Sequence, residues 1–188
     1  MDIASADQPS GQTLRFRRRF AASPERVFAA WTRPQALSLW WCPPGWDAVE
    51  FVVDLRIGGQ YRLAMRRTRE TQVIGVHGIF LAIEPPRRLV YTWNWEGAFP
   101  DMPPTEVRIL LRPDRDGTEV QLRQSPLHLV LCVRHVTGWL HACDRLAANL
   151  APAGAQRRRQ IKPTLGVLNL GDDQHTTALH HADYRFHP

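Results

Sequence analysis

An α+β fold is what the sequence predicts: about seven antiparallel strands, two short helices after the first strand, and one long final helix laid across the sheet. Three observations carry this expectation. Two tryptophan-rich stretches, each opening on a helix-start signal, lie between residues 23 and 41. Alternating or β-rich runs, separated by turns containing Gly or Pro, fill residues 48–123. Apolar residues then recur at intervals of four and three from Leu129 to Leu150, which lays one stripe along a helix.

The elements follow in order. Thr13 to Phe20 reads as the first strand, with Leu14, Phe16, Arg18 and Phe20 on one face by the two-residue period. Ser23 is an N-cap with Pro24 at the first helical position, and Val27, Phe28 and Trp31 share one face of a short amphipathic helix. Thr32 and Pro34 restart a second short helix towards Trp40-Trp41. Ala48 to Leu55 is a strand ended by the permissive pair Gly58-Gly59. In Gln60 to Arg67, Tyr61, Leu63 and Met65 face one side and Arg62 and Arg66 the other. Val73 to Ile83 and Arg88 to Trp95 form a hairpin through Glu84-Pro85-Pro86-Arg87, where the prolines remove donors and force a turn. Glu106 to Arg112 and Glu119 to Arg123 form another through Pro113-Asp114-Arg115-Asp116-Gly117. Ser125-Pro126 reads as the next cap, and the helix behind it extends to Leu150, about 39 Å at 1.5 Å per residue. Inside that helix Gly138 costs about 1 kcal/mol relative to Ala, which marks close packing or a bend beside Trp139.

A chain of 188 residues suits one domain, burying roughly 70% of the surface its unfolded form exposes. Residues 1–11 read as a flexible lead-in, 12–151 as the domain, and 152–188 as a tail, mobile or adding one strand. No apolar stretch approaches the ~20 residues that cross a bilayer, and Met1 to Gln12 is polar and acidic where an export signal would be basic and then apolar. These features predict a cytoplasmic protein without a membrane span. Cys42, Cys132 and Cys143 make an odd count, which favours reduced thiols. The net charge of +6 rests on 23 Arg and one Lys. Its tight runs are Arg15 to Arg19, interleaved with apolar residues as in a half-buried strand, and Arg157 to Arg159 in the tail, so nucleic acid is not expected as a partner. No Ser-His-Asp pattern, phosphate-binding glycine loop or dinucleotide fingerprint appears, and no catalytic residue or cofactor is assigned.

Several pieces of this chain occur together in one known family. They are Ala22 to Trp31, Trp40-Trp41, Asp54 to Gly59, Ile83 to Trp93 with its Pro-Pro turn, and His135-Val136-Thr137-Gly138-Trp139. In this order, across Thr13 to Leu150, they resemble the activator-of-heat-shock-protein-ATPase homologue branch of the START-like, or SRPBCC, superfamily. The resemblance implies the helix-grip arrangement, a strongly curved antiparallel sheet wrapped around one long C-terminal helix, with room for a pocket between the two. That superfamily includes lipid carriers, plant hormone receptors, polyketide cyclases and chaperone-associated domains, so fold alone does not choose a function. The leading expectation is binding of a small apolar molecule between sheet and helix. The alternatives are a chaperone-associated interaction module and a cyclase or hydratase-type enzyme.

The candidate cavity lining is Tyr61, Met65, Phe80, Tyr91, Trp93, Val107, Leu131 and Trp139, all of which also suit a plain packed core. Arg18, His77, Tyr91 and His135 are the candidates for orienting polar groups. Arg18, on an apolar strand face, calls for an anion, with Asp54, Glu84 or Asp144 preferred over a ligand carboxylate. His128, Cys132 and His135 share one helix face, but the spacing offers no fourth ligand and no metal site is assigned. Leu127 to Val133 is apolar nearly all round except at His128 and Cys132, unlike the family pattern, and is expected at a cavity mouth or homodimer contact.

Overall fold

The computed structural model of the protein describes residues 11–97, 102–127 and 129–151, with the side chains of 129–134 outside that description. The described chain runs β1 (Gln12–Phe20), α1 (Pro24–Thr32), α2 (Pro34–Leu37), β2 (Trp46–Val53), β3 (Gln60–Arg67), β4 (Val73–Glu84), β5 (Arg88–Glu96), β6 (Thr105–Asp114), β7 (Gly117–Leu127) and α3 (Leu129–Leu150). All neighbours in the curved sheet are antiparallel, in the order β1-β7-β6-β5-β4-β3-β2. The strands from β2 to β7 therefore form a meander of hairpins, and β1 closes against β7 at the far edge.

Local chemistry explains the connections. Ser23 is extended (φ −64°, ψ 156°) and its hydroxyl accepts from the Arg26 backbone N–H at 3.4 Å, while Pro24 supplies a preset φ at the first helical position. Gly58, at φ 76°, turns the β2–β3 hairpin and donates its N–H to the Phe80 carbonyl at 2.8 Å. The Glu84–Arg88 turn contains a cis Pro85-Pro86 bond.

The start of the last helix corrects the sequence reading. Ser125 does not cap it: Ser125 pairs with Glu106 of β6, Leu127 pairs with Gln12 of β1, and the Ser125-Pro126 bond is cis. Pairing on both sides holds this segment in the sheet, so α3 begins at Leu129 and spans about 33 Å. Its buried stripe is also displaced. Val136, Trp139, Cys143, Leu146 and Leu150 are buried, whereas Leu140 and Ala147, expected on the stripe, are half-buried. Trp139 brings more apolar area than Leu140, and the helix is turned to bury it. Close packing at Gly138 is not found, since a Cβ there would meet nothing within 4 Å.

Core side chains from α1, α2, α3 and the inner face of the sheet form one cluster. The tie between α3 and β1 is ionic: Arg18, its side chain 9% exposed in the row with Leu14, Phe16 and Phe20, pairs with Asp144 at 2.5 Å. Arg145 holds the other side, donating to the backbone carbonyls of Cys42 and Leu39 in the loop after α2. No described helix is long and apolar enough to cross a membrane. The lead-in up to residue 10 and the tail 152–188 lie outside the described residues.

Candidate functional site

Under α1 and α2 the inner face of the sheet is rich in aromatic side chains among aliphatic ones. Six of the seven tryptophans touch one another: Trp31 packs on Trp40 and Trp139, Trp41 on Trp40, Trp93 and Trp139, and Trp93 on Trp95. Tyr61, Phe80 and Tyr91 extend the cluster across β3, β4 and β5, with ring centroids 5.3–6.1 Å apart. Between these layers lies a gap bounded by Trp31, Leu37 and Trp41 on the helical side. Val53, Leu63 and Leu89 join the three sheet aromatics on the other side. It measures about 20 Å³, room for one water, so the described side chains that border it are packed together rather than around a hollow. Trp41 is half-buried and stands at its edge.

Two polar features interrupt this apolar interior. The first is a connected network beside the gap. Gln124, fully buried on β7, accepts at its Oε1 from Trp139 Nε1 at 2.8 Å and from His135 Nδ1 at 3.0 Å, and donates to Thr105 Oγ1 at 2.9 Å. His135 Nε2 in turn accepts from Trp95 Nε1 at 3.3 Å. This arrangement assigns the proton to Nδ1 of a neutral ring, and burial lowers the His135 pKa to about 4. Both nitrogens are engaged, so His135 links α3 to the sheet.

The second feature is unmet. Among the described residues, the buried side-chain nitrogen or oxygen atoms without a hydrogen-bond partner are the indole N–H groups of Trp31 and Trp93. Each such donor costs about 1–3 kcal/mol while it is unpaired. Burial raises the Tyr91 phenol well above its usual range, and the neighbouring Trp31 indole N–H opposes that rise although the two fall short of a hydrogen bond.

Of the residues singled out from sequence, Tyr61, Phe80 and Tyr91 border the gap. Trp93, Val107 and Trp139 are buried in the surrounding core, and His135 sits in the network. Others are placed elsewhere. Arg18 is neutralised by Asp144 next to β1, and Met65 is half-buried outside the core cluster. His77 is exposed on the outer face, in the row with Val52, Arg62 and Asn94, so it does not face the interior. Strand alternation explains this: Gly78, one residue on, pairs with the inward Tyr61. On that outer face Arg62 bridges Glu50 and Glu96, one cation held between two carboxylates. The side chain of Leu131 lies outside the described residues, as do His128 and the side chains of Cys132, Leu129 and Val130. The described residues hold no group of three metal-ligating side chains.

Gln124 escaped sequence reasoning, although the alternation Val120, Leu122, Gln124 along β7 points it inward with two fully buried neighbours. Trp31, Leu37 and Trp41 were legible as helix and loop residues, but their position over the sheet is a tertiary fact.

The family model described as "Activator of Hsp90 ATPase homolog 1-like protein" matches residues 21–151. The chain belongs to that family. No curated protein matches this member, but solved structures do. It is similar to a Chromobacterium violaceum protein, with 27% identity and a TM-score of 0.68, covering 75% of this chain and 99% of the other. A Rhodobacter sphaeroides protein matches at 28% identity and TM-score 0.66, covering 76% and 95%. The AHSA1 protein of Silicibacter pomeroyi matches at 28% identity and TM-score 0.65, covering 73% and 96%. This family member thus shares the α+β helix-grip fold of those structures, with its sheet, two early helices and closing C-terminal helix.

Proposed function

We propose that this protein binds a small, mostly apolar molecule between the inner face of its sheet and the helices α1, α2 and α3. The supporting observation is the gap itself, bordered by aromatic and aliphatic side chains and edged by the half-buried Trp41. At one water in size it does not admit such a molecule as it stands. Opening it asks least of α2, a single turn of four residues without a side-chain cap, and of the loop that carries Trp41. Trp40 stays fixed during such a movement, since its indole N–H donates to the Ala30 carbonyl at 2.9 Å. The released apolar area would supply affinity at about 25 cal/mol per Å². The free, buried thiols of Cys42 and Cys143 fit a reducing cytoplasm as the setting.

The test is titration with the neutral fluorescent probe N-phenyl-1-naphthylamine. Wild type is expected to bind it at one site, Trp41→Ala to bind it more tightly because space is opened, and Val53→Trp to lose it because the gap is filled. Native mass spectrometry of the purified protein adds whether a small molecule is carried and released on unfolding. Equal probe binding by wild type and Val53→Trp, with both folded by circular dichroism, would place binding elsewhere and overturn the reading.

A further inference from the structure

The two unpaired indoles narrow what the interior can recognise. Trp31 borders the gap, and Trp93 lies directly behind Trp41, with ring centroids 5.3 Å apart. Both indoles also pack on Trp139, at 6.4 and 5.5 Å. A molecule that takes the place of Trp41 therefore stands against Trp93, with Trp31 bordering the same gap.

Besides the phenols of Tyr61 and Tyr91, the polar atoms left over there are donors. Trp31 and Trp93 each present an N–H with no acceptor, while the nearby Trp95 and Trp139 indoles already donate to His135 and Gln124. No charged side chain borders the gap, and Arg18, the cation nearest α3 on the inner row, is committed to Asp144. A carboxylate or phosphate entering this space would lose its hydration without gaining a counter-charge. A ligand hydroxyl would satisfy an indole but bring a further proton, for which the gap offers only the phenol oxygens of Tyr61 and Tyr91. A carbonyl oxygen brings lone pairs and nothing else.

We propose that the ligand of this site is a neutral carbonyl compound, a ketone or quinone on an aromatic or alicyclic frame, whose oxygen accepts from the indole N–H groups of Trp31 and Trp93. This rests on the binding reading above and adds the polar half of the recognition. The indoles orient the ligand, and the aromatic walls supply its contact area.

Three probes of one shape make the test: 1-tetralone, tetralin and tetralin-1-carboxylate, titrated against ¹⁵N-labelled protein and followed at the indole N–H resonances. The expected result is that 1-tetralone binds about tenfold more tightly than tetralin, a difference of about 1.4 kcal/mol, with the carboxylate weakest. The Trp31 and Trp93 indole protons should move downfield with the ketone alone. In Trp31→Phe and Trp93→Phe the ketone-to-hydrocarbon ratio should fall towards one, a ratio that cancels any general loosening of the core. If tetralin and 1-tetralone bind equally and Val53→Trp removes both, the donor proposal is overturned and the apolar site stands. If none of the three binds, both are overturned.

Discussion

The side-chain carbonyl of Gln124 receives the indole N–H of Trp139 at 2.8 Å, and with it the same oxygen receives the Nδ1–H of His135 at 3.0 Å. Two residues one helical turn apart on α3 are thereby referred to a single atom on β7. Directional bonds of this kind set the rotation of α3 on the sheet, which apolar packing alone leaves loose. That rotation puts Trp139 among the other indoles and moves Leu140 to the margin.

Removing this atom should therefore cost more than the loss of an ordinary strand residue. Gln124→Ala leaves the His135 Nδ1–H, the Trp139 N–H and the Thr105 hydroxyl without their partner in a buried site. The expected loss is about 3 kcal/mol or more in urea unfolding, with Gln121→Ala, on a half-buried position of the same strand, within about 1 kcal/mol of wild type. Similar midpoints for the two variants would show that the network contributes little.

His135 gives the fold a predictable acid limb. Its pKa lies near 4 in the native state, below the ordinary 6.5, so the unfolded chain binds the extra proton between these values. Stability is then fully present above about pH 6.5 and falls as pH drops towards 4, by up to about 3 kcal/mol for this group. Urea midpoints measured from pH 7.5 to 4.5 should fall in wild type and stay much flatter in His135→Gln, once carboxylate effects common to both are subtracted. Parallel curves for the two proteins would remove His135 as the cause.

The succession and number of elements were legible because each depends on local signals: the Ser23-Pro24 cap, the Gly58-Gly59 turn and the alternation in β3 all lie within a few residues of what they specify. Ser125-Pro126 misled because the same dipeptide serves a helix start or a strand end, and pairing with Glu106 decided it. His77 and the shifted α3 stripe failed for a related reason. A period gives the relative phase of side chains along an element, while which phase faces inward is set by partners distant in sequence, here Tyr61 opposite Gly78 and Trp139 against Gln124. The narrow gap was not legible at all, since packed and hollow interiors use the same residues.

Arg18 illustrates the cost of a charge placed on an apolar face. Its guanidinium is nearly buried while its partner Asp144 is 41% exposed, so the pair is half screened and breaking it should cost about 2 kcal/mol. Asp144→Ala leaves the cation uncompensated against Phe20, whose ring lies 5.7 Å away. The double variant Arg18→Met with Asp144→Ala should recover most of that loss, because Met continues the row of Leu14, Phe16 and Phe20. A thermal-unfolding series of wild type, single and double variants reads the coupling directly. Additive losses would mean that the contact carries no energy.

Gly138 offers the converse case, a residue whose usual justification is missing. It lies within α3, where glycine pays more backbone entropy than alanine on folding, and a Cβ built there meets no atom within 4 Å. Its φ is not in the left-handed region, so an alanine would adopt the backbone without strain. Gly138→Ala should therefore stabilise the protein by about 0.5–1 kcal/mol, raising the urea midpoint with an unchanged slope. Because the residue adjoins Trp139, the same variant should leave the Trp139 indole N–H resonance in place. A stabilised protein with a shifted resonance would mean that glycine sets the bend that seats Trp139, and a destabilised one would mean that α3 needs the flexibility.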